Sequence, residues 1–171
     1  MLSNESLRIL DTSDQSTRIL ESVPNSSVVA SSGPLVAFSA NTPSGPTVNI
    51  TSADSDLTLT ILLDPRSSER IEESIRNSGA LLDFGNSSIV ELVMDSNWLV
   101  ATVNVGPFNR TIIVDTSSIN QTLISNPRWD SSSPSIGEGK VAFLQVTRDS
   151  IISTSQDSLR NNDVYVYYIE S

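Results

Sequence analysis

The sequence contains no histidine and no cysteine. Without imidazole there is no Ser/His/Asp or Cys/His catalytic system, no histidine metal ligand and no histidine pH switch. Without thiols there is no cysteine nucleophile, no thiolate zinc or iron–sulfur site and no disulfide, and the redox compartment is left open. Lys140 is the sole lysine, in the turn Gly137-Glu138-Gly139-Lys140, so Schiff-base or Ser/Lys chemistry would rest on one residue in a loop. With seven glycines in all, no phosphate-cradling loop occurs. Apolar runs are short, as in Val141 to Leu144, and no membrane span is expected. The N-terminus, MLSNESLRIL, has neither the basic start nor the apolar stretch of a signal peptide and reads as a polar lead into a strand.

Positive charge is also scarce. Ten basic residues scattered against twenty acidic ones give a net charge of −10, which disfavours nucleic acid and anionic membrane as partners and suits a solvated surface. Serine and threonine, 32 and 13 residues, are abundant as in extracellular stalks and surface proteins. Six Asn-X-Ser/Thr sequons occur, at Asn4, Asn25, Asn49, Asn86, Asn109 and Asn120, and each is a glycosylation candidate. Composition and sequons point towards a secreted or cell-surface protein, with a cytoplasmic location as the alternative.

The chain repeats. An apolar strand ending in an acid, then a polar turn and a second short strand, appears in SLRILDTSDQSTRIL (6–20), LTLTILLDP (57–65) and RTIIVDTSSINQTLIS (110–125), and DVYVYYIES closes the chain. The marker acids Asp11, Asp64, Asp115 and Glu170 are spaced by 53, 51 and 55 residues. Between them lie Val36-Ala37-Phe38, Val100-Ala101-Thr102 and Val141-Ala142-Phe143, each preceded by another short apolar piece: VVAS at 28–31, IVELVM at 89–94 and SPSIG at 133–137. Four strands in such a period, separated by Gly, Ser, Asn and Asp turns, describe a propeller blade better than a solenoid turn. In VYVYYI, alternation sets Val164, Val166 and Tyr168 against Tyr165, Tyr167 and Ile169. Trp98 and Trp129 are expected to pack between repeats, with ligand stacking as the alternative.

One segment breaks the strand pattern. Residues 68–77 offer a serine N-cap, Ile71 and Ile75 four apart, Glu72 four before Arg76, and Gly79 as a stop, which predicts a short inserted helix, with ALLDF at 80–84 as the following strand. The alternative makes this segment itself the fourth strand.

The run Pro134-Ser135-Ile136-Gly137-Glu138-Gly139-Lys140-Val141-Ala142-Phe143, followed by Asn162-Asp163-Val164-Tyr165-Val166-Tyr167, resembles the TolB-type or WD40-like propeller blade. In that family a Pro and a Gly-containing turn lead into a strand ending in an aromatic, and a later strand starts with Asp and alternates apolar residues with Tyr. The motif covers residues 133–171, whereas the earlier repeats share only the period. What the resemblance implies is an all-β propeller built of four-stranded antiparallel blades. The repeats fall at approximately 1–22 (partial), 23–84, 85–125 and 126–171 (partial), a single segment of a longer propeller. Self-association of two chains is the runner-up way of completing the ring, and a β-sandwich is the alternative fold.

Carboxylates are the remaining acid–base chemistry. Asp54 and Asp56 lie on one side of an extended chain, but in a serine-rich loop where solvated turn residues are the default. Asp157, Asn161, Asn162 and Asp163 could surround a calcium ion, against the plainer reading of a polar loop tip. No catalytic residue, cofactor or metal site is assigned. Two functions are expected: a non-catalytic propeller segment recognising a protein or glycan, or forming part of a surface; alternatively, the substrate-gating propeller of a larger hydrolase of the prolyl-oligopeptidase kind. The partner is a protein, a glycan or further blades, and fold alone does not choose between them.

Overall fold

A computed structural model of the chain describes residues 7–10, 15, 17–20, 28–55, 57–66, 86–146 and 162–169. These residues form an all-β structure of antiparallel sheets, none of which closes into a barrel. The chain opens with a hairpin of β1 (Leu7–Leu10) and β2 (Thr17–Leu20). A first four-stranded sheet follows, made of β3 (Val29–Ser32), β4 (Leu35–Thr42), β5 (Gly45–Ser52) and β6 (Thr58–Leu62) in chain order. The second repeats that order with β7 (Ser88–Asp95), β8 (Trp98–Val105), β9 (Phe108–Asp115) and β10 (Asn120–Leu123). The third has β11 (Asp130–Gly137), β12 (Lys140–Val146) and β13 (Asn162–Tyr168).

Tight turns set the register. The first two strands of each sheet are joined by two-residue loops, with pairs Ser32↔Leu35, Asp95↔Trp98 and Gly137↔Lys140 closing them. In the last, Glu138 and Gly139 both have positive φ (50° and 71°), the type I′ geometry whose twist matches that of the flanking strands. The other two loops open on a residue of positive φ, Gly33 and Ser96.

The second sheet is the middle layer and is apolar on both faces. On β8, Leu99, Ala101, Val103 and Val105 join Ala37, Val48, Ile50 and Ile61 of the first sheet in one core. The intervening Val100, with Ile113 of β9, joins Val141 and Phe143 of the third sheet in another. Alternation along one strand thus feeds two cores, as a strand buried on both sides requires. The inter-sheet contact centres on first strands: β7 lies against β3, β4 and β5, and β11 against β7, β8 and β9.

The sequence expectations fare unevenly. The hairpin at 6–20, the four strands of the second sheet and the three of the third fall where the repeats placed them. In the first sheet the strand assignment is corrected. LTLTIL is the fourth strand, not the third, because β5 at Gly45–Ser52 stands between it and β4. Asp64 and Asp115 therefore follow strands of different rank, and their spacing is not a repeat of structure. The Val-Ala marker is also out of step by one residue. Counted from the closing turns, Val36-Ala37-Phe38 and Val141-Ala142-Phe143 correspond to Leu99-Val100-Ala101. A one-residue slip exchanges the faces, which is why Ala37 and Val100 both point towards the following sheet while Ala101 points to the preceding one. The helix expected at 68–77 and the strand at 80–84 lie outside the described residues, as do the marker acids Asp11 and Glu170.

Candidate functional site

Hydroxyl groups make up a quarter of the sequence, and many are turned inward as backbone partners. Ser39 Oγ accepts from the Val28 N–H at 2.8 Å, Thr47 Oγ1 donates to the Gly45 carbonyl at 3.2 Å, and Ser125 Oγ accepts from the Thr111 N–H at 2.8 Å. Side-chain oxygens that satisfy backbone groups at strand ends let short strands stop without exposing unpaired donors.

A polar cluster lies between the second and third sheets. Thr111 Oγ1 donates to Ser131 Oγ at 2.8 Å, and Ser131 Oγ donates to the Asn109 carbonyl at 3.0 Å. The Asn109 N–H donates to Asp130 Oδ1 at 3.1 Å, and Asn104 Nδ2 to Asn109 Oδ1 at 2.8 Å. Thr102 stands opposite Thr111, and Gln145 opposite Ser131, so strand pairing draws both into the same layer. Both are buried, and among the described residues neither Thr102 Oγ1 nor Gln145 Nε2 has a hydrogen-bond partner. Nearby, the fully buried Arg110 donates from Nη1 to the Pro65 carbonyl at 2.5 Å, tying the middle sheet to the segment that leaves β6.

The first strands carry a second polar link. Both carboxylate oxygens of Glu91, at a bulge in β7, accept from the Ser133 N–H at 3.0 and 2.9 Å, and Ser133 sits at the bulge of β11 with φ of 54°. The bulges face each other, which re-aims Glu91 from its own sheet to the next. Pro134 within β11 was the one sequence signal of that irregularity.

Two carboxylates are held below the usual carboxylate range. Asp115 accepts from Ser117 Oγ and Ser118 Oγ at 2.6 and 2.7 Å and from the Ser117 N–H at 2.9 Å, and these bonds favour the charged form. Asp64 is lowered chiefly by its paired contact with Arg66, whose Nε and Nη2 lie 2.7 and 2.6 Å from its oxygens. Each interaction closes a local loop.

The residues picked out by sequence are dispersed. Asp54 is exposed in the β5–β6 loop, where its N–H donates to Ser52 Oγ at 3.2 Å; Asp56 lies outside the described residues. Of the four proposed calcium neighbours, Asn162 and Asp163 open β13, and Asp157 and Asn161 are outside the described residues. Among the described residues no group of three or more acidic side chains could hold a metal ion. Lys140 is exposed, its Nζ 5.8 Å from the centroid of the Tyr168 ring. Trp98 packs into the core between the second and third sheets, and the Trp129 ring lies 6.1 Å from that of Tyr165, tilted by 59°. Trp98 thus packs at that boundary, while Trp129 lies against a ring of the third sheet.

The sequons differ in their surroundings. Asn86 and Asn120 are exposed. Asn49 Oδ1 accepts from Thr60 Oγ1 at 2.8 Å, and the third residue of its sequon, Thr51, is buried. Asn109 is engaged as described above, and Arg110 and Thr111 after it are fully buried. Asn4 and Asn25 lie outside the described residues. No helix among the described residues is long and apolar enough to cross a membrane. No protein-family model, curated protein or solved structure matches the chain.

Proposed function

We propose that the chain is a sector of a β-propeller from a secreted or cell-surface protein, acting in protein or glycan recognition or as a structural surface component rather than as a catalyst. The observation that carries this reading is the packing of each sheet's first strand onto the face of the sheet before it: β7 on β3, β4 and β5, then β11 on β7, β8 and β9. First strands that each pack on the sheet before them suit blades set around an axis. The up-and-down order within every sheet agrees with this, and a two-sheet sandwich leaves the third sheet without a place. Many hydroxyls bond the backbone or bridge sheets, as Ser39, Ser125 and Ser131 do, which suits a structural or recognition role.

The surface assignment is tested on protein isolated from its source, by intact mass before and after glycan removal and by mapping of glycopeptides. Glycans are expected at Asn86 and Asn120, the exposed sequons among the described residues. Unmodified protein at both positions sinks the surface reading. A crystal structure in which β3, β7 and β11 do not surround a common axis sinks the propeller.

A further inference from the structure

The first and second sheets part at one end. Leu57, Leu59, Ile61 and Leu63 alternate along β6 and its flanks on the side that meets the second sheet. Ile61 and Leu63 are each 2% exposed, Leu59 is half-buried and Leu57 is 82% exposed. Burial is thus lost step by step towards the β5–β6 loop, where a groove of about 340 Å³ opens, lined by Leu35, Ile50, Leu57 and Leu59 of the first sheet and Thr116 of the second among others. That is the small end of the range for ligand clefts, with room for side chains rather than for a folded element. Its walls are held in place. Thr51 Oγ1 donates to the Leu57 carbonyl at 3.3 Å, the Leu57 N–H to Ser55 Oγ at 3.2 Å, and the Ala53 N–H to the Pro34 carbonyl at 2.7 Å. Across the groove, the N–H and Oγ1 of Thr116 both donate to the Asn97 carbonyl, at 2.8 and 2.9 Å. Leu57 therefore presents its side chain to solvent from a bonded backbone.

Charge distinguishes this end of the sheets from the other. The β3–β4, β7–β8 and β11–β12 turns lie here, and Ser32 Oγ accepts from the Ser96 N–H at 2.8 Å to tie the first two together. Among the described residues of the three sheets, Asp54, Asp95, Asp115 and Glu138 stand at this end against Lys140, whereas Asp64, Asp130 and Asp163 at the opposite end are matched by Arg66, Arg110 and Arg128. Asp54 lies between Ser52 and Ser55 and Asp115 directly precedes Thr116, three residues of the lining, so both carboxylates border the groove. An apolar lining with an anionic border is complementary to a chain that carries an apolar side chain between cations, and it repels anionic membranes and nucleic acids. We propose that this groove receives an extended segment of a partner protein in which an aliphatic side chain is flanked by lysine or arginine. The inference rests on the recognition reading above and names its partner. The groove lies between two sheets of this chain, so blades added beside the first or the third sheet leave it in place.

The test uses the full chain, isotope-labelled, and as probe a synthetic peptide with a central leucine, a serine on each side of it and a pair of arginines at either end. Amide shifts in the NMR spectrum are expected at Leu57, Leu59 and Thr116, and none at Arg128 or Asp163 at the opposite end. Affinity is expected to fall at least about fivefold as ionic strength rises from about 0.01 to 0.1 M. Leu57→Ser is expected to weaken binding by about tenfold, since it removes the apolar contact that the leucine buries, with the circular dichroism spectrum unchanged because the side chain is exposed. Leu62→Ser, on the other face of β6 and 49% exposed, is expected to bind as the parent does. No shift at the groove at about 1 mM peptide overturns the proposal, as does binding that survives Leu57→Ser or that a peptide with glutamates in place of arginines matches. Self-association that Leu57→Ser abolishes overturns it too, by giving the groove to a second copy. Shifts confined to other loops overturn the groove while keeping recognition, so the two readings fail separately.

Discussion

Thr102 and Thr111 face each other across β8 and β9, are both fully buried, and differ in one respect. The Thr111 hydroxyl donates to Ser131, which donates in turn to the Asn109 carbonyl, whereas the Thr102 hydroxyl has no hydrogen-bond partner among the described residues. Replacing each by valine keeps shape and β-branching and removes only the oxygen. At Thr102 the substitution relieves the burial of an unsatisfied hydroxyl, which costs about 1–3 kcal/mol, so Thr102→Val is expected to stabilise by about 1 kcal/mol after imperfect packing is allowed for. At Thr111 it removes a hydrogen bond of net value about 0.5–1.5 kcal/mol and weakens the chain of donors behind it, so Thr111→Val is expected to destabilise by about 1 kcal/mol. For a chain of this length each kilocalorie shifts the melting temperature by about 2–4 °C, so the two variants should separate by about 4–8 °C in thermal unfolding, on opposite sides of the parent. Urea unfolding with unchanged m-values would assign the difference to the native state. Equal signs for the two variants, or a Thr102→Val protein less stable than the parent, would refute the reasoning and show that the Thr102 oxygen is bonded within the fold.

Further expectations follow from other parts of the structure. Phe143 is buried between the second and third sheets and stacks on Tyr165 at 6.0 Å, so Phe143→Ala should lower stability by about 3–5 kcal/mol; a loss in urea unfolding below about 1 kcal/mol would mean the sheets are not packed there. Gly139 has φ of 71° with open space where a Cβ would stand, so Gly139→Ala should cost only the backbone term, about 1 kcal/mol, and a much larger loss in thermal melting would point to a steric role. Asp115 and Asp64 have folded-state pKa values below their ordinary value of 3.8, so the unfolded chain binds these protons more readily. Their contribution is therefore present above that value and lost as pH falls through the lower folded-state values, and Asp115→Asn should flatten the acid limb of the stability profile. An acid limb identical to that of the parent would exclude Asp115 as a contributor.

Much of this fold was legible before any coordinates. Alternation in VYVYYIE placed Val164, Val166 and Tyr168 on one face and Tyr165, Tyr167 and Ile169 on the other, and the side chains lie so. Gly, Ser, Asn and Asp turns separated the strands, and the Gly-containing turn at 137–140 lies where expected because few residues tolerate the backbone a two-residue turn demands. β5 was missed because GPTVNITS begins with two strand-averse residues and carries hydroxyls and amides at alternate positions; Thr47-Val48-Asn49-Ile50-Thr51 is nonetheless a strand pattern. That omission shifted the rank of the following strand and lent the acidic markers a regularity that the sheets do not share.

The sequence alone determined the chemistry that is absent and the class of structure. Lack of histidine and cysteine is a property of composition, and alternation with period two is a property of neighbours along the chain. Tertiary structure alone decided which face of each strand meets which sheet. A one-residue difference at Leu99-Val100-Ala101 reverses that assignment and is invisible until the turns fix the register. It also decided which hydroxyls are bonded, since Thr102 and Thr111 look alike in sequence and differ only in whether Ser131 stands across the sheet boundary. And it set the bulges of β7 and β11 against each other, so that Glu91 holds the backbone of a residue far along the chain, a link between positions whose separation in sequence carries no signal of their contact.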